Sequence, residues 1–564
     1  MASAVESVSS GTHEGAGEAH KRQNPNDGQM DDAYKRYCEL LTLGESRLAA
    51  GDLRAAAALA NVAARYAFPA RVGVFGSPRL ETLLINLGRK IPTPERVNQG
   101  RSNECARNVL HILSYARPVG GDSRYAWRWI QEDRESRHSV AITTQADVKD
   151  IYEIPQVLKE AVADSGGFLK VLNVPATNQL EQARELRMLC QGMDVVVLHV
   201  FPYDIVPILA LATGCDSSKV AYVNHSDHTF WVGASVCDSI IHLRTQSARF
   251  LTERRGLDPA RSAFLPTPLA QLPPTVDRIE AKRALGYDPN GVLLLTIASP
   301  FKYSSPGQIG FLELVTPVLA KFPEAVLVAV GPKPEGAWGR AIALTNGRIA
   351  ALGTRWDNNL LYSAADIYLD SVPFSSITSV LEAGSQGAAL LGYKPSSELS
   401  LLGPGAPGLD DVMELASNED TYRATLCRLI RDSDFRSECG RRVKSSVLAF
   451  HTGPGWLAGL SGVYKKLDAV EGGRCMAAKN DRYETDSLNS ALAELYRDPP
   501  HLTRCLIGEY VGALHYSVRA PITLRLWRKG FGFCVLNLLP PPGDRFIRIF
   551  GRRLKKLIGR SRRG

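Results

Sequence analysis

Between residues 108 and 244 short apolar runs alternate with amphipathic stretches. NVLHILS (108–114), SVAITT (139–144), FLKVLNV (168–174), MDVVVLHV (193–200), KVAYVNH (219–225) and SIIHLR (239–244) have strand length and are rich in Val, Ile and Leu. Helical patterns separate them: SRYAWRWIQED after a Gly120-Gly121 turn, then segments near 154–163 and 178–190. Strands without polar alternation, joined by helices, predict a parallel sheet covered on both faces. The proline-rich stretch LPTPLAQLPPTVD (265–277) leads into a second unit of the same kind. Its strands are GVLLLTIAS (291–299), AVLVAVG (325–331), RIAALG (348–353), DIYLDSV (366–372) and AALLGY (388–393), with helices near 307–321, 357–364 and 379–386. The fold class expected is α/β: two Rossmann-like, doubly wound domains, 105–270 and 278–470, facing a cleft. Open sheets of this kind bind ligands at the carboxyl ends of their strands.

The flanks differ. Residues 1–30 are rich in Gly, Ser, Asn and charge and are expected to be disordered. Their lack of an apolar stretch speaks against a secretory signal. Within a helical region at 31–100, YKRYCELLTLGESRLAAG and DLRAAAALANVAARYA form a hairpin resembling a single tetratricopeptide unit. One such unit cannot bury its own apolar face, so it is expected to pack on the neighbouring domain. The last segment, 471–564, is less regular, more aromatic and basic.

Composition is that of a globular protein, 45% hydrophobic and 22% charged. The 10 cysteines form no CxxC pair and read as reduced residues of a cytoplasmic protein. The net charge of +9 is matched by the nine Lys and Arg of 545–563, a stretch without an acid. The rest is near neutral, and nucleic acid is not an expected partner. In the tail, Phe546, Ile549, Phe550, Leu554, Leu557 and Ile558 fall at helical spacing opposite the basic residues. That pattern suits an anionic membrane surface, peripheral at its inner face.

The chemistry concentrates in SVPFSSITSVLEAGSQG (371–387). A strand ends, a hydroxyl-rich loop follows, and a helix begins at Thr378 and Ser379. Amide groups at such a helix start favour an anion, and the hydroxyls add donors. Glu382, four residues after Thr378, shares its helix face and suits ribose hydroxyls. A capping box, Ser379-x-x-Glu382, accounts for the same spacing without a ligand. In the same domain Lys302 follows a strand in ASPFKYSSP, where an ammonium can neutralise a diphosphate.

RIAALGTRWDNNLLYSAADIYLDSVPFSSITSVLEAGSQGAALLGY is similar to the donor-binding half of GT-B glycosyltransferases. The O-linked N-acetylglucosamine transferase-like group and related bacterial-type sugar transferases are what it most resembles. Asp366, Asp370, Pro373, Phe374, Thr378, Ser379, Glu382, Ala383 and Gly387 match the group's pattern. The resemblance implies a donor site of Lys302, Phe374, Thr378, Ser379 and Glu382, with Thr378 and Ser379 on the diphosphate and Glu382 on the ribose. It implies a UDP- or GDP-sugar donor, a glycan, lipid or protein acceptor, and no cofactor or metal. Two departures stand out: Ser376-Ile377 replaces Gly or Gly-His before the threonines, and Phe374 breaks the E-x7-E of retaining enzymes. The first keeps open an inactive scaffold docking at membranes, and the fold also supports nucleotide-sugar 2-epimerases.

The first domain is expected to carry the acceptor and a base. In YVNHSDHTFWVG, His225, Asp227 and His228 follow a strand at the cleft edge. A neutral imidazole there takes a proton from an acceptor, and Asp227 orients a neighbouring ring. A structural histidine pair is the plainer reading, and a metal site is poorly served by side chains alternating on opposite faces. Gly120 and Gly121 let the backbone approach a bound sugar, or simply turn the chain. HTGPGW (451–456) lies where GT-B chains cross back to the first domain, with Trp456 expected in the core.

Overall fold

The computed structural model describes residues 25–70, 72–93, 106–118, 120–145, 153–213, 218–269, 276–303, 309–395, 397–470, 487–495, 502–532 and 535–538. The basic stretch 545–563 therefore lies outside the described residues, as does most of the predicted disordered segment.

Thirteen strands are described: β1 (Arg107–Leu113), β2 (Ser136–Ile142), β3 (Leu169–Val171), β4 (Val195–His199), β5 (Lys219–Val223), β6 (Ser239–His242), β7 (Ser262–Phe264), β8 (Val292–Ile297), β9 (Ala325–Val330), β10 (Ile349–Ala351), β11 (Ile367–Leu369), β12 (Ala389–Tyr393) and β13 (Glu414–Ala416). They form two parallel sheets, ordered β3-β2-β1-β4-β5-β6-β7 and β10-β9-β8-β11-β12-β13. Each sheet is doubly wound, reversing direction once, between β1 and β4 and between β8 and β11. The apolar runs are buried as a two-sided sheet requires: β4 is buried along its whole length, and so are Leu293–Leu295 of β8. Two such sheets facing one cleft are the GT-B arrangement. The three-residue strands β7 and β13 at the sheet edges carry no apolar run of their own.

Helices α1 (Pro25–Ala49), α2 (Leu53–Ala70) and α3 (Pro78–Gly88) cap the first sheet. The alanine-rich face of α2 is fully buried, and Ser77 caps α3 through the amide of Leu80 at 3.2 Å. Two helices border the cleft: α4 (Gly121–Glu132) of the first unit and α5 (Ile377–Ser385) of the second. Helix α6 (Gly453–Ala469) returns to the first sheet. There Trp456 is fully buried beside Trp129, its indole N–H donating to the Pro266 carbonyl at 2.8 Å. Helices α7 (Leu502–Tyr510) and α8 (Tyr516–Arg528) join the core of α1 and α2 through Ile507, Ile522 and Leu526. Among the described residues no helix is long and apolar enough to cross a membrane.

Candidate functional site

The two switch points face each other across a cavity of about 440 Å³. From the first sheet it is lined by residues after β1 (Arg117, Gly120, Gly121), after β4 (Val200–Pro202) and after β5 (His225, Ser226). From the second it is lined by residues after β8 (Ile297–Pro300, Lys302), after β9 (Gly331) and after β11 (Ser376–Ser379). Each wall is thus the carboxyl edge of a sheet where strand order reverses, the usual ligand position in doubly wound folds.

Asp370, just past β11, organises the second wall. Its carboxylate accepts from the amides of Ser371 and Ser376, both at 2.9 Å, and so fixes the loop that starts α5. Burial raises the Asp370 carboxyl to about 6, against the pull of those amides and of Lys302. Lys302 donates from Nζ to the carbonyl of Ser375 at 2.8 Å. Burial lowers its ammonium to about 8, while Asp370 nearby favours the charged form. The amine and the hydroxyl loop therefore converge on one edge of the cavity.

Helix α5 begins at Ile377, with Ser376 as its N-cap and no side-chain cap bond. Among the described residues the amides of Ile377 and Thr378 find no acceptor. These are the orphan donors of a helix start, and they open on the cavity with the Thr378 hydroxyl. The capping-box alternative does not match this start, because Ser379 already lies inside the helix. The Ser379 hydroxyl instead accepts from that of Ser376 at 3.5 Å.

Glu382 is placed differently from its neighbours. It does not line the cavity but holds Arg128 at 2.8 Å and Arg124 at 3.1 Å, both from α4 of the other unit. Phe374 is buried beneath the loop, with ring contacts to His228 at 4.8 Å and Phe301 at 6.0 Å.

On the first wall, Gly120 has φ +146°, where a side chain is strained, and a Cβ would lie 2.4 Å from Arg117 Nε. Gly121 opens α4 and faces the second wall: its Cβ position is 3.5 Å from Thr378 Oγ1. Arg117 pairs with Asp122 at 3.3 Å at the same rim.

The three residues of HSDH part company. His225 lines the cavity, and burial lowers its imidazole to about 4, with Asp122 pulling up and Arg117 pushing down. Asp227 is buried away from the cavity. It accepts from Arg244 Nε at 3.0 Å and Nη2 at 2.8 Å, and from the Ser247 hydroxyl. Burial opposes its charge, but Arg244, His228 and Ser247 outweigh that and hold it well below the usual carboxylate range. Arg244 also donates to the Gly403 carbonyl at 3.0 Å, so this pair ties the two units together. His228 reaches Asp227 at 3.2 Å and packs on Phe374.

Among the predicted site residues, then, the cavity gathers Gly120, Gly121, His225, Lys302, Thr378 and Ser379; it leaves Asp227, His228, Phe374 and Glu382 behind its walls. Sequence reading passed over Arg117, Arg355, Asn358 and Tyr362, which also line it. Arg117 stands three residues before the glycine pair, and Asn358 begins a helix in the donor-like stretch; those were the available signals. No group of three or more His, Cys, Asp or Glu among the described residues is placed to hold a metal.

No family model matches the chain, and no curated protein matches it in sequence. Among solved structures, Anabaena HepE in complex with UDP and glucose is similar at 14% identity and a TM-score of 0.47, over 64% of this chain and all of that one. An O-GlcNAc transferase mutant of Thermobaculum terrenum is similar at 15% identity and 0.43, over 78% and 84% of the two chains. WaaG, a glycosyltransferase involved in lipopolysaccharide biosynthesis, is similar at 17% identity and 0.39, over 65% of this chain and all of that one.

Proposed function

We propose that the chain is a glycosyltransferase, moving a sugar from a nucleoside-diphosphate donor to an acceptor hydroxyl or amide. One observation carries this reading. At the switch point of the second sheet, Lys302, the open amides of α5 and the Thr378 and Ser379 hydroxyls meet on one cavity wall, and His225 stands on the other. The first set suits a diphosphate, which needs a cation and dense donors. A half-buried neutral imidazole opposite suits an acceptor that must lose a proton.

In this reading the donor is a UDP- or GDP-sugar, with the diphosphate against α5 and Lys302. As the bond to the sugar breaks, charge grows on the diphosphate, and a preorganised ammonium and helix start stabilise that charge most. These groups take the role that a metal plays elsewhere, and activity is expected to persist with chelator present. The acceptor, a glycan, a lipid-linked glycan or a protein side chain, enters past Gly120 and Gly121. Glu382 reaches a ribose only by exchanging its two arginines for it. The basic segment 545–563 docks the enzyme on an anionic leaflet from the cytoplasmic side.

An epimerase needs carboxylates facing the sugar ring. On the described lining the carboxylate is that of Asp122, already paired with Arg117. Transfer is therefore the better reading. Mass spectrometry of products from a panel of UDP- and GDP-sugars tests it. A new glycoside with acceptor present, lost in Lys302→Ala, is expected. An isomerised donor without acceptor supports the epimerase, and an unchanged donor under all conditions supports an inactive scaffold.

A further inference from the structure

Behind His225 the first sheet carries three more histidines. His199 Nδ1 lies 3.3 Å from His225 Nε2, His111 Nδ1 lies 3.0 Å from His199 Nε2, and His138 Nδ1 lies 2.9 Å from His111 Nε2. The string ends where His138 Nε2 meets the Asp133 carbonyl at 2.9 Å and its carboxylate at 3.3 Å. Strand register explains the line. His138 pairs with Val109, His111 with Val197 and Leu113 with His199, so each histidine stands two residues further along its strand than the one before. Leu198 pairs with Tyr222, which sets His225 two levels above His199 in turn. Steps of two keep one face of the sheet, so the rings climb diagonally from its floor to the cleft. His111, His138 and His199 are buried, roofed by Tyr125 and Trp129 of α4, with Trp456 of α6 packed on Trp129.

We propose that His225, His199, His111 and His138 form a proton relay, closed by Asp133, that sets His225 as a base toward the cleft and carries its proton inward. The direction follows from the closed end. A carbonyl oxygen only accepts, so His138 Nε2 carries the hydrogen and His138 Nδ1 is bare. That nitrogen accepts from His111 Nε2, and the same logic passes through His199 to His225. His225 is left with its hydrogen on Nε2 and a lone pair on Nδ1, which makes no hydrogen bond among the described residues. Burial holds His111, His199 and His225 below the usual imidazole range, so these three rings rest neutral. The charged and titratable groups facing it are Arg117, Asp122 and Tyr125 at the cleft end, and Asp133 with Tyr464 at the inner end.

Its use rests on the proposed transfer. The acceptor oxygen bonds to the anomeric carbon, the bond from that carbon to the diphosphate breaks, and its electron pair leaves on the diphosphate. The acceptor proton goes to His225 Nδ1, and the hydrogen on Nε2 passes to His199 Nδ1. His199 and His111 each repeat the exchange, and the positive charge settles on His138 beside the Asp133 carboxylate. That carboxylate accepts from Tyr464 at 2.7 Å and is held below its usual range: burial raises it, and His138 and Tyr464 more than reverse that. The reverse shift resets the string as the proton leaves with the diphosphate or to solvent.

Ring-nitrogen NMR on the full chain with 15N-labelled histidine tests the relay without any substrate. At pH 7 the wild type is expected to show His225, His199 and His111 as neutral Nε2–H tautomers. In His138→Phe the His225 tautomers are expected to mix, while nucleotide affinity stays within about twofold and turnover falls at least about tenfold. His225 protonated on Nδ1 in the wild type, or an unchanged tautomer ratio in a folded variant, overturns the relay. The wild-type spectrum decides even if the variant does not fold. A correct string in a chain that transfers no sugar refutes the transfer reading and leaves the relay standing.

Discussion

At the scale of single residues, adjacent positions in the chain have separate duties. His225 faces the cavity, whereas Asp227, two positions on, is consumed by Arg244 and Ser247. The glycine pair divides likewise. Gly120 is required by its backbone, with φ +146° and side chains packed where a Cβ would go; Gly121 has 3.5 Å to Thr378, ordinary contact distance. Gly120→Ala is therefore expected to cost about 1–3 kcal/mol. Gly121→Ala is expected to stay within about 1 kcal/mol of wild type, because alanine suits a first helical turn. Thermal midpoints of the two variants check the contrast, and equal midpoints contradict it.

At the scale of elements, the cleft is set by α4 and α5, whose starts face each other and whose sides are joined by Glu382 with Arg124 and Arg128. Breaking a buried pair strands a charge at about 3–5 kcal/mol. These side chains are 10–24% exposed, so Glu382→Gln is expected to cost less, about 1–3 kcal/mol, by urea unfolding. A loss of nucleotide affinity without loss of stability instead places Glu382 on the ribose. The sheets and the hydroxyl loop were legible in the sequence because long apolar runs and a strand–loop–helix switch are local signals. Strands β7 and β13 were not, because Ser262–Phe264 and Glu414–Ala416 carry no apolar run. Nor was the Glu382 pairing, which joins residues over 250 positions apart. The histidine string left a trace, one histidine in each of NVLHILS, RHSVAI and VVVLH, but its two-residue stagger needs the register of three strands.

At the scale of the whole molecule, the two units are closed by several ties and carry many buried imidazoles. Burial lowers His111 and His199 well below, and His225 and His242 to about 4 from, the ordinary 6.5. Below pH 6.5 the unfolded chain takes up protons that the folded chain refuses, so stability falls with pH toward about 4. Asp370, raised to about 6, acts oppositely below that value, and Glu81, also raised by burial, acts in the same sense as Asp370. His451, also lowered by burial, and Glu132, also raised by it, add one group to each side, and five against three leave a net loss of about 3 kcal/mol per pH unit. The thermal midpoint is therefore expected to drop between pH 7 and pH 5; a flat or rising midpoint contradicts this. The central claim, that Lys302 and the start of α5 hold a diphosphate between the units, is tested most directly by titration calorimetry of UDP and GDP against wild type and Lys302→Ala. One nucleotide is expected to bind the wild type, and the variant to bind it about tenfold or more weakly, as loss of a charge-assisted hydrogen bond implies. Binding of neither nucleotide, or equal affinity in the variant, contradicts the account.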